Sequence, residues 1–330
     1  MSSTICKQEY IEIGSILHYF AIMEGEKDAP VVLFLHGGPG QTEAALGPVL
    51  EPFLQNKITL VFYDQRGAGR TFGKKPQAQP TLSLMLQDLH QIVDMFCQRY
   101  NKKRVVILGH SWGSMLGSLF VQKYPQQAAC FIGVGQLVGM PEGVRVGYDK
   151  VQEKIEEASN KKDLKKLKQI DPTLQSCKNF SEVVVQVANL QKLQKKYGLA
   201  MKMSASLLKL YISSPLFGFK DMGYIMRSRH LNEKLLEEIF PINLREAAPS
   251  YERPVYYIEG DTDFQTPYPI AQQYLQDLTA PDKNWWTIEN AGHAPMLDDP
   301  QAFTTALLQA LQRYQQWETL AAKTKQALKK

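Results

Sequence analysis

The apolar positions of the first 137 residues alternate between two patterns. Short continuous runs of β-branched and aromatic residues, such as VVLFLH at 31–36 and TLVFYD at 59–64, are typical of strands buried on both faces. Residues 82–100 instead repeat their apolar side chains with helical spacing. This alternation predicts a mostly parallel sheet with right-handed crossovers. Further strands are predicted from a hairpin at 10–23, bent at Gly14 and Ser15, and from RVVILG at 104–109 and ACFIGVG at 129–135.

The alternation stops between residues 138 and 245, where the patterns are helical throughout. FSEVVVQVANLQKLQKKYG and NEKLLEEIF are examples. A strand pattern returns with VYYIEG at 255–260, and NWWTIEN and a helix from Pro300 follow it. We therefore predict an α/β fold, a mostly parallel central sheet flanked by helices, made of residues 1–137 and 246–330. An all-helical insertion of residues 138–245 interrupts it.

Composition changes this picture little. Hydrophobic residues make up 44% of the 330 residues and charged residues 22%, which is typical of a globular chain. The N-terminus lacks a basic segment followed by an apolar one, and the longest apolar runs are far too short to cross a bilayer. The four cysteines are scattered, with neither CxxC nor metal-ligand spacing. We expect a cytoplasmic protein with reduced thiols, no membrane association and no metal site.

The net charge of +5 is concentrated in the predicted insertion, which carries 19 Lys and Arg against 12 Asp and Glu. Its densest basic run is KKDLKKLKQ at 161–169. A solvated helix face explains such a run most simply, and attraction to an anionic substrate or a nucleic acid is the alternative. Because aromatic residues do not interleave with the basic ones and no nucleic-acid motif occurs, we expect no nucleic-acid partner.

Candidate chemistry begins at GHSWG, residues 109–113, between a predicted strand and a predicted helix. In such a G-x-S-x-G turn the serine hydroxyl stands clear of the backbone at the carboxyl end of the sheet, and the flanking glycines avoid Cβ clashes. A glycine-rich turn without chemistry is the alternative. The strand-to-helix setting favours Ser111 as a nucleophile.

A serine hydroxyl is a weak nucleophile unless a base accepts its proton. In chains whose serine occupies such a turn, the acid and then the histidine follow it in the sequence. Only His230 and His293 lie downstream of Ser111, and His230 falls in the predicted insertion, before the strand expected to carry the acid. We therefore predict His293 as the base. His110 adjoins the serine, but neighbouring side chains of a tight turn diverge, so we expect it to point elsewhere.

The acid is expected after the strand at 255–260, where Asp261 and Asp263 follow the carboxyl end. A carboxylate there would fix the imidazole tautomer and stabilise the imidazolium that forms on proton transfer. We favour Asp263, because the additional residues after Gly260 let its side chain turn back towards His293. Asp261 remains the alternative, since either aspartate could instead cap the turn.

The loop FLHGGPG at 34–40 closes an early strand and is rich in glycine. Acyl transfer places negative charge on a carbonyl oxygen, which needs preorganised N–H donors. We predict that the N–H groups of Gly38, in this loop, and of Trp112, directly after Ser111, form an oxyanion hole. Because a triad supplies its own nucleophile and base, we predict no cofactor.

Together these motifs resemble the α/β-hydrolase superfamily and, more narrowly, the proline iminopeptidase family. The resemblance implies an α/β-hydrolase fold, a triad of Ser111, Asp263 and His293, and a cap formed by the insertion. It further implies release of an N-terminal residue from small peptides or amides. Five short motifs carry it: HGGPG at 36–40, DQRGAG at 64–69, GHSWGS at 109–114, G-x-x-D at 260–263 and A-G-H at 291–293.

The preferred substrate is less well defined than the chemistry. Family members that remove proline hold the free ammonium with cap glutamates, in a glutamate- and aromatic-rich motif that residues 138–245 lack. We predict Glu142, in GMPEG, as the best candidate for an amine anchor, an exposed loop carboxylate being the alternative. The missing motif and the basic insertion favour a second hypothesis, a carboxylesterase for small or acidic acyl groups. A non-catalytic binding protein is a third. For either enzyme the expected partner is a small-molecule or short-peptide substrate.

Overall fold

A single eight-stranded sheet lies at the centre of the computed structural model, which describes residues 6–74, 79–201, 209 and 212–327. Its strands are β1 (Cys6–Ile13), β2 (Ile16–Met23), β3 (Val31–Leu35), β4 (Thr59–Tyr63), β5 (Val105–His110), β6 (Ala128–Val134), β7 (Val255–Gly260) and β8 (Lys283–Ile288). Their spatial order is β1-β2-β4-β3-β5-β6-β7-β8. The pairs that involve β2 are antiparallel, and all other neighbours are parallel. The predicted mostly parallel sheet is confirmed.

The helices pack around this sheet and fill the segment between β6 and β7. They are α1 (Gly47–Leu54), α2 (Gly69–Phe72), α3 (Leu82–Arg99), α4 (Trp112–Lys123), α5 (Met140–Glu157), α6 (Lys161–Leu167), α7 (Phe180–Lys196), α8 (Phe219–Ile239), α9 (Leu244–Ala247), α10 (Tyr268–Asp277), α11 (Pro295–Asp298) and α12 (Pro300–Ala327). We call α5 to α9 the inserted helices. The domain division at residues 138 and 246 stays a prediction. None of the helices in the described ranges has an apolar stretch long enough to cross a membrane.

Both faces of the sheet are buried, which explains the continuous apolar runs in the sequence. Alternate residues of β3 enter two different clusters, Leu33 and Leu35 on one face and Val32 and Phe34 on the other. The first cluster includes residues of α3 and α4, and the second includes residues of α12. The inserted helices α5 and α7 have a separate apolar cluster of their own.

Local signals at the predicted turns match the structure. Gly14 and Ser15 adopt positive φ angles of 55° and 62°, and the flanking Ile13 and Ile16 pair across the antiparallel hairpin. The predicted helix at 82–100 is α3, and the Thr81 hydroxyl caps it by accepting the N–H of Leu84 at 3.2 Å. Because β5 leads directly into α4, the fold places Ser111 at the carboxyl end of the sheet.

Candidate active site

Ser111 occupies a strained turn between β5 and α4. Its φ of 55° and ψ of −121° lie outside the regions that L-residues prefer, and its N–H donates to the carbonyl oxygen of Val134 at 3.0 Å. The turn has no room for side chains at its flanks. A Cβ added to Gly109 would lie 2.2 Å from the carbonyl oxygen of Gly113, and one added to Gly113 would lie 2.0 Å from that of Leu35. The chain therefore needs glycine on both sides of the serine.

His293 contacts Asp263, the favoured one of the two aspartates that the sequence offered. The distance from His293 Nδ1 to Asp263 Oδ2 is 2.8 Å, and both side chains are buried. The N–H groups of Gln265 and Thr266 donate to Asp263 Oδ1, and the Thr266 hydroxyl donates to Oδ2 at 2.9 Å. Because Nδ1 faces the carboxylate, Nε2 is the nitrogen that remains to accept a proton.

A second buried carboxyl lies close to this pair, at Glu259 near the end of β7. It accepts the N–H of Gln136 at 2.9 Å. Burial, followed by the neighbouring charge of Asp263, raises the pKa of Glu259 well above its ordinary value. Burial beside Asp263 therefore favours the neutral form of the Glu259 carboxyl.

The loop from Gly37 to Pro39 runs directly against the turn that holds Ser111. A Cβ on Gly37 would lie 3.2 Å from the Cβ of Ser111, so a larger residue there would press on the serine. Gly38 adopts a φ of 123°, which glycine alone adopts readily. Trp112 is the first residue of α4, so its N–H has no hydrogen-bond acceptor within the helix. Its buried indole N–H donates to Gln65 at 2.9 Å.

Ser111, His293 and Gly38 line one cavity of about 1250 Å³, between the carboxyl ends of the strands and the inserted helices. Much of its outer wall is apolar and comes from α5, α7 and α8. This volume is generous for a small ligand, since drug-sized pockets occupy roughly 300–1,000 Å³.

Both ring nitrogens of His110 have hydrogen-bond partners. Its Nδ1 lies 2.6 Å from Glu43 Oε1, and its Nε2 lies 2.8 Å from the carbonyl oxygen of His293. Burial on its own would lower the pKa of His110, but the charge and hydrogen bond of Glu43 outweigh it and raise that pKa. In the same way, His110 outweighs burial and lowers the pKa of Glu43. This pair was not predicted from the sequence.

The DQRGAG loop braces the floor of the site and joins it to the inserted helices. Buried Asp64 accepts the Thr42 hydroxyl at 2.5 Å and the N–H of Arg70 at 2.6 Å, and burial raises its pKa to about 7. The Arg70 guanidinium in turn donates to both oxygens of Asp221, in α8, at 3.0 and 3.1 Å.

The structure does not bring Glu142, the predicted amine anchor, to the site. Its carboxylate forms an ion pair with Arg245, and it is not among the residues that line the cavity. The guanidinium already neutralises the charge that a substrate ammonium would need. Two carboxylates of α8, Glu233 and Glu237, do line the cavity, as does Glu43, which pairs with His110. The i, i+4 spacing of Glu233 and Glu237 in NEKLLEEIF, which places them on one helix face, was the signal in the sequence.

The fold and the site together define an α/β hydrolase of the serine-hydrolase type, and the chain is therefore a hydrolase. Residues 26–207, more than half of the chain, match the family described as serine aminopeptidase, S33. The chain belongs to this family. The resemblance drawn from its sequence motifs is thereby confirmed.

Known proteins extend the similarity over nearly the whole chain. The probable aminopeptidase YbaC of Bacillus subtilis is 24% identical over 306 residues, which cover 92% of this chain and 96% of that protein. A proline iminopeptidase-related protein from Thermus thermophilus superposes with a TM-score of 0.61 at 20% identity, over 93% of this chain and 97% of its own. An esterase from Exiguobacterium antarcticum has a TM-score of 0.59 at 15% identity, over 93% and 100%. The two structural likenesses show the fold.

Proposed function

We propose that the protein hydrolyses acyl substrates through a covalent acyl-enzyme, with Ser111 as nucleophile, His293 as base and Asp263 as the acid. The observation that carries this proposal is the Nδ1 to Oδ2 contact of His293 and Asp263, together with the strained Ser111 turn in the same cavity. A buried carboxylate on Nδ1 holds the imidazole in the tautomer whose Nε2 accepts a proton.

In the acylation step the Ser111 oxygen attacks the substrate carbonyl while His293 Nε2 takes the hydroxyl proton. The imidazolium then gives this proton to the leaving amine or alcohol as its bond to the carbonyl carbon breaks. Water attacks the resulting acyl-serine with the same base, which releases the acid and restores Ser111. Negative charge on the carbonyl oxygen is stabilised by the N–H groups of Gly38 and Trp112.

For the substrate, we propose a small peptide or amide with a free N-terminal residue. The support comes from the serine aminopeptidase family and from the probable aminopeptidase that aligns over 92% of the chain. Glu237, and Glu233 beside its partner His230, supply negative charge on the cavity wall that a free ammonium would favour. They replace Glu142 as candidate anchors. The four free cysteines fit a cytoplasmic enzyme.

An esterase is the second candidate, because basic side chains also face the cavity. Arg229 and Lys234 of α8 line it beside the two glutamates. They would favour an acidic acyl group as much as the glutamates would favour an amine. The wide apolar wall accepts the body of either substrate.

A substrate panel on the purified protein separates the two activities. We expect turnover of aminoacyl-arylamides, prolyl derivatives among them, and a large loss of kcat/KM when the α-amine is acetylated. The Ser111→Ala variant serves as the matched blank for background hydrolysis. The opposite outcome would be activity on p-nitrophenyl acetate and on acidic esters, with none on any unblocked aminoacyl-arylamide. That result would show that the protein is an esterase and not an aminopeptidase.

A further inference from the structure

Both ring nitrogens of His110 face oxygen atoms. Nε2 lies 2.8 Å from the carbonyl oxygen of His293, which has no proton to give, so Nε2 must carry the hydrogen. Nδ1 lies 2.6 Å from Glu43 Oε1, so a second proton lies between these two atoms. The side chains of His110 and Glu43 are only 7% and 10% exposed, and water therefore contributes little to the pair.

The second proton belongs to the imidazole. The N–H of Gly37 donates to the other oxygen of Glu43 at 3.3 Å and so stabilises its ionised form. The raised pKa of His110 and the lowered pKa of Glu43 agree with this assignment. His110 is thus an imidazolium with two donors, and Glu43 is its counter-ion.

The pair connects three loops that follow three different strands. Gly37 follows β3, His110 ends β5 next to Ser111, and His293 follows β8. A continuous chain of hydrogen bonds runs from the Gly37 N–H through Glu43 and His110 to the His293 carbonyl. These loops carry one oxyanion donor, the nucleophile and the base of the proposed function, on which this inference rests.

We propose that Glu43 and His110 are positioning residues, which act through the backbone of Gly37 and His293 to hold the oxyanion loop and the catalytic base in register with Ser111. Neither side chain needs to touch the substrate for this role. A displacement of about 1 Å in such an arrangement can lower a rate by about a hundredfold, so a modest clamp has a large effect on turnover.

The charges of His110 and Glu43 cancel, which matters because the pair lies beside His293. The ring centroids of His110 and His293 are 4.9 Å apart, and His293 becomes positive during the proposed reaction. The other titratable groups near His110 are His36, which burial keeps neutral by lowering its pKa, and Asp263. Glu43 compensates the charge of His110, so the clamp adds little net charge beside the base.

Three variants test the clamp by the rate of Ser111 phosphonylation with a fluorophosphonate probe. We expect Glu43→Ala and His110→Ala each to lower the maximal inactivation rate about tenfold to a hundredfold, with little change in probe affinity. The double variant should be no worse than either single one, because the two side chains act as a unit. Unchanged rates, or losses that multiply in the double variant, would overturn the proposal.

Glu43→Gln provides the conservative rescue. Its amide N–H can donate to Nδ1 of a neutral His110, while its oxygen accepts the N–H of Gly37, so every link of the chain survives. We expect its rate to lie near that of the wild type, and a defect as large as that of Glu43→Ala would contradict the clamp. His90→Gln is the control for replacing a histidine, since His90, on α3, bonds Gln127 just before β6 and lies outside the cavity lining.

A measurement on the unmodified protein needs no activity at all. In protein labelled with 15N-histidine, both ring nitrogens of His110 should be protonated at pH 6.5, with signals assigned by their loss in His110→Ala. One unprotonated ring nitrogen would refute the ion pair, and His110→Gln can supply the assignment where His110→Ala does not fold. Wild-type protein that does not react with the probe would contradict the proposed function, whereas the nitrogen signals test the pair independently.

Discussion

The carboxyl edge of the sheet and the inserted helices differ in how their polar side chains are placed. At the sheet edge several polar side chains are buried and hydrogen-bonded. His110 contacts Glu43 and the carbonyl oxygen of His293, and Asp263 accepts hydrogen bonds from Gln265 and Thr266. On the inserted helices the charges that face the cavity are exposed, and Phe219 and Met226 of α8 are 97% and 65% exposed. We infer from this contrast that, in the proposed reaction, the edge carries the chemistry and the inserted helices select the substrate.

The largest effect should come from the edge, through Asp263→Asn. An asparagine keeps the shape of the side chain but removes the charge that holds the His293 tautomer, so kcat should fall about 10³–10⁴-fold. Steady-state kinetics on the best substrate of the panel measure this loss, and circular dichroism checks the fold. A loss below tenfold would mean that Asp263 does not serve the base.

Two glycines compare the stability of the regions directly. The Cβ of Gly113→Ala would lie 2.0 Å from the Leu35 carbonyl oxygen, and we expect it to lower the free energy of unfolding by about 3 kcal/mol. At Gly223, in α8, an added Cβ meets nothing within 4 Å, so Gly223→Ala should stabilise the protein by about 0.5–1 kcal/mol. Urea denaturation measures both values. Equal changes in the free energy of unfolding at the two positions would show that the sheet edge is not packed more tightly than the inserted helices.

The buried pair at the edge should also give stability a characteristic pH dependence. Burial opposes both charges, yet the mutual attraction raises the pKa of His110 above its ordinary 6.5 and lowers that of Glu43 below 4.5. The His110 contribution is complete below pH 6.5 and lost as the pH rises through its raised pKa. The Glu43 contribution is present above pH 4.5 and lost as the pH falls through its lowered pKa.

His110→Gln should therefore lose most stability relative to the wild type between pH 4.5 and 6.5, and progressively less on either side. Denaturation curves at several pH values measure the difference. A difference that does not change with pH would show that the pair is not ionised.

The smallest effect is expected on the inserted helices. Glu237→Gln should raise KM for an unblocked aminoacyl-arylamide about threefold and leave ester hydrolysis unchanged, because an exposed ion pair contributes only about 0.2–1 kcal/mol. Glu238→Gln is the matched control, since Glu238 bonds the N–H of Leu82 and does not line the cavity. Equal changes of KM in both variants would show that Glu237 does not bind the substrate.

Local signals in the sequence were sufficient for the parts of the molecule that depend on periodicity and chain order. Strands buried on both faces need continuous apolar runs, and the tight turn at Ser111 needs glycine at positions 109 and 113. The order of serine, acid and histidine selected His293 over His230. The choice between Asp261 and Asp263 needed the structure, because it depends on side-chain direction.

Long-range pairing explains what the sequence did not show. Glu142 was a reasonable anchor until Arg245, 103 positions further along the chain, proved to be its partner. The bond between Glu43 and His110 spans 67 positions and has no local pattern. Glu233 and Glu237 were visible as one helix face, but only the packing of α8 shows that this face meets the cavity.

The most direct test of the account is the site of covalent modification by a fluorophosphonate. Peptide mapping by mass spectrometry should find the phosphonyl group on Ser111 in the wild-type protein, no label in Ser111→Ala and much slower labelling in Asp263→Asn. Folded wild-type protein that stays unlabelled, or that is labelled at a different serine, would contradict the claim that this turn carries an activated nucleophile.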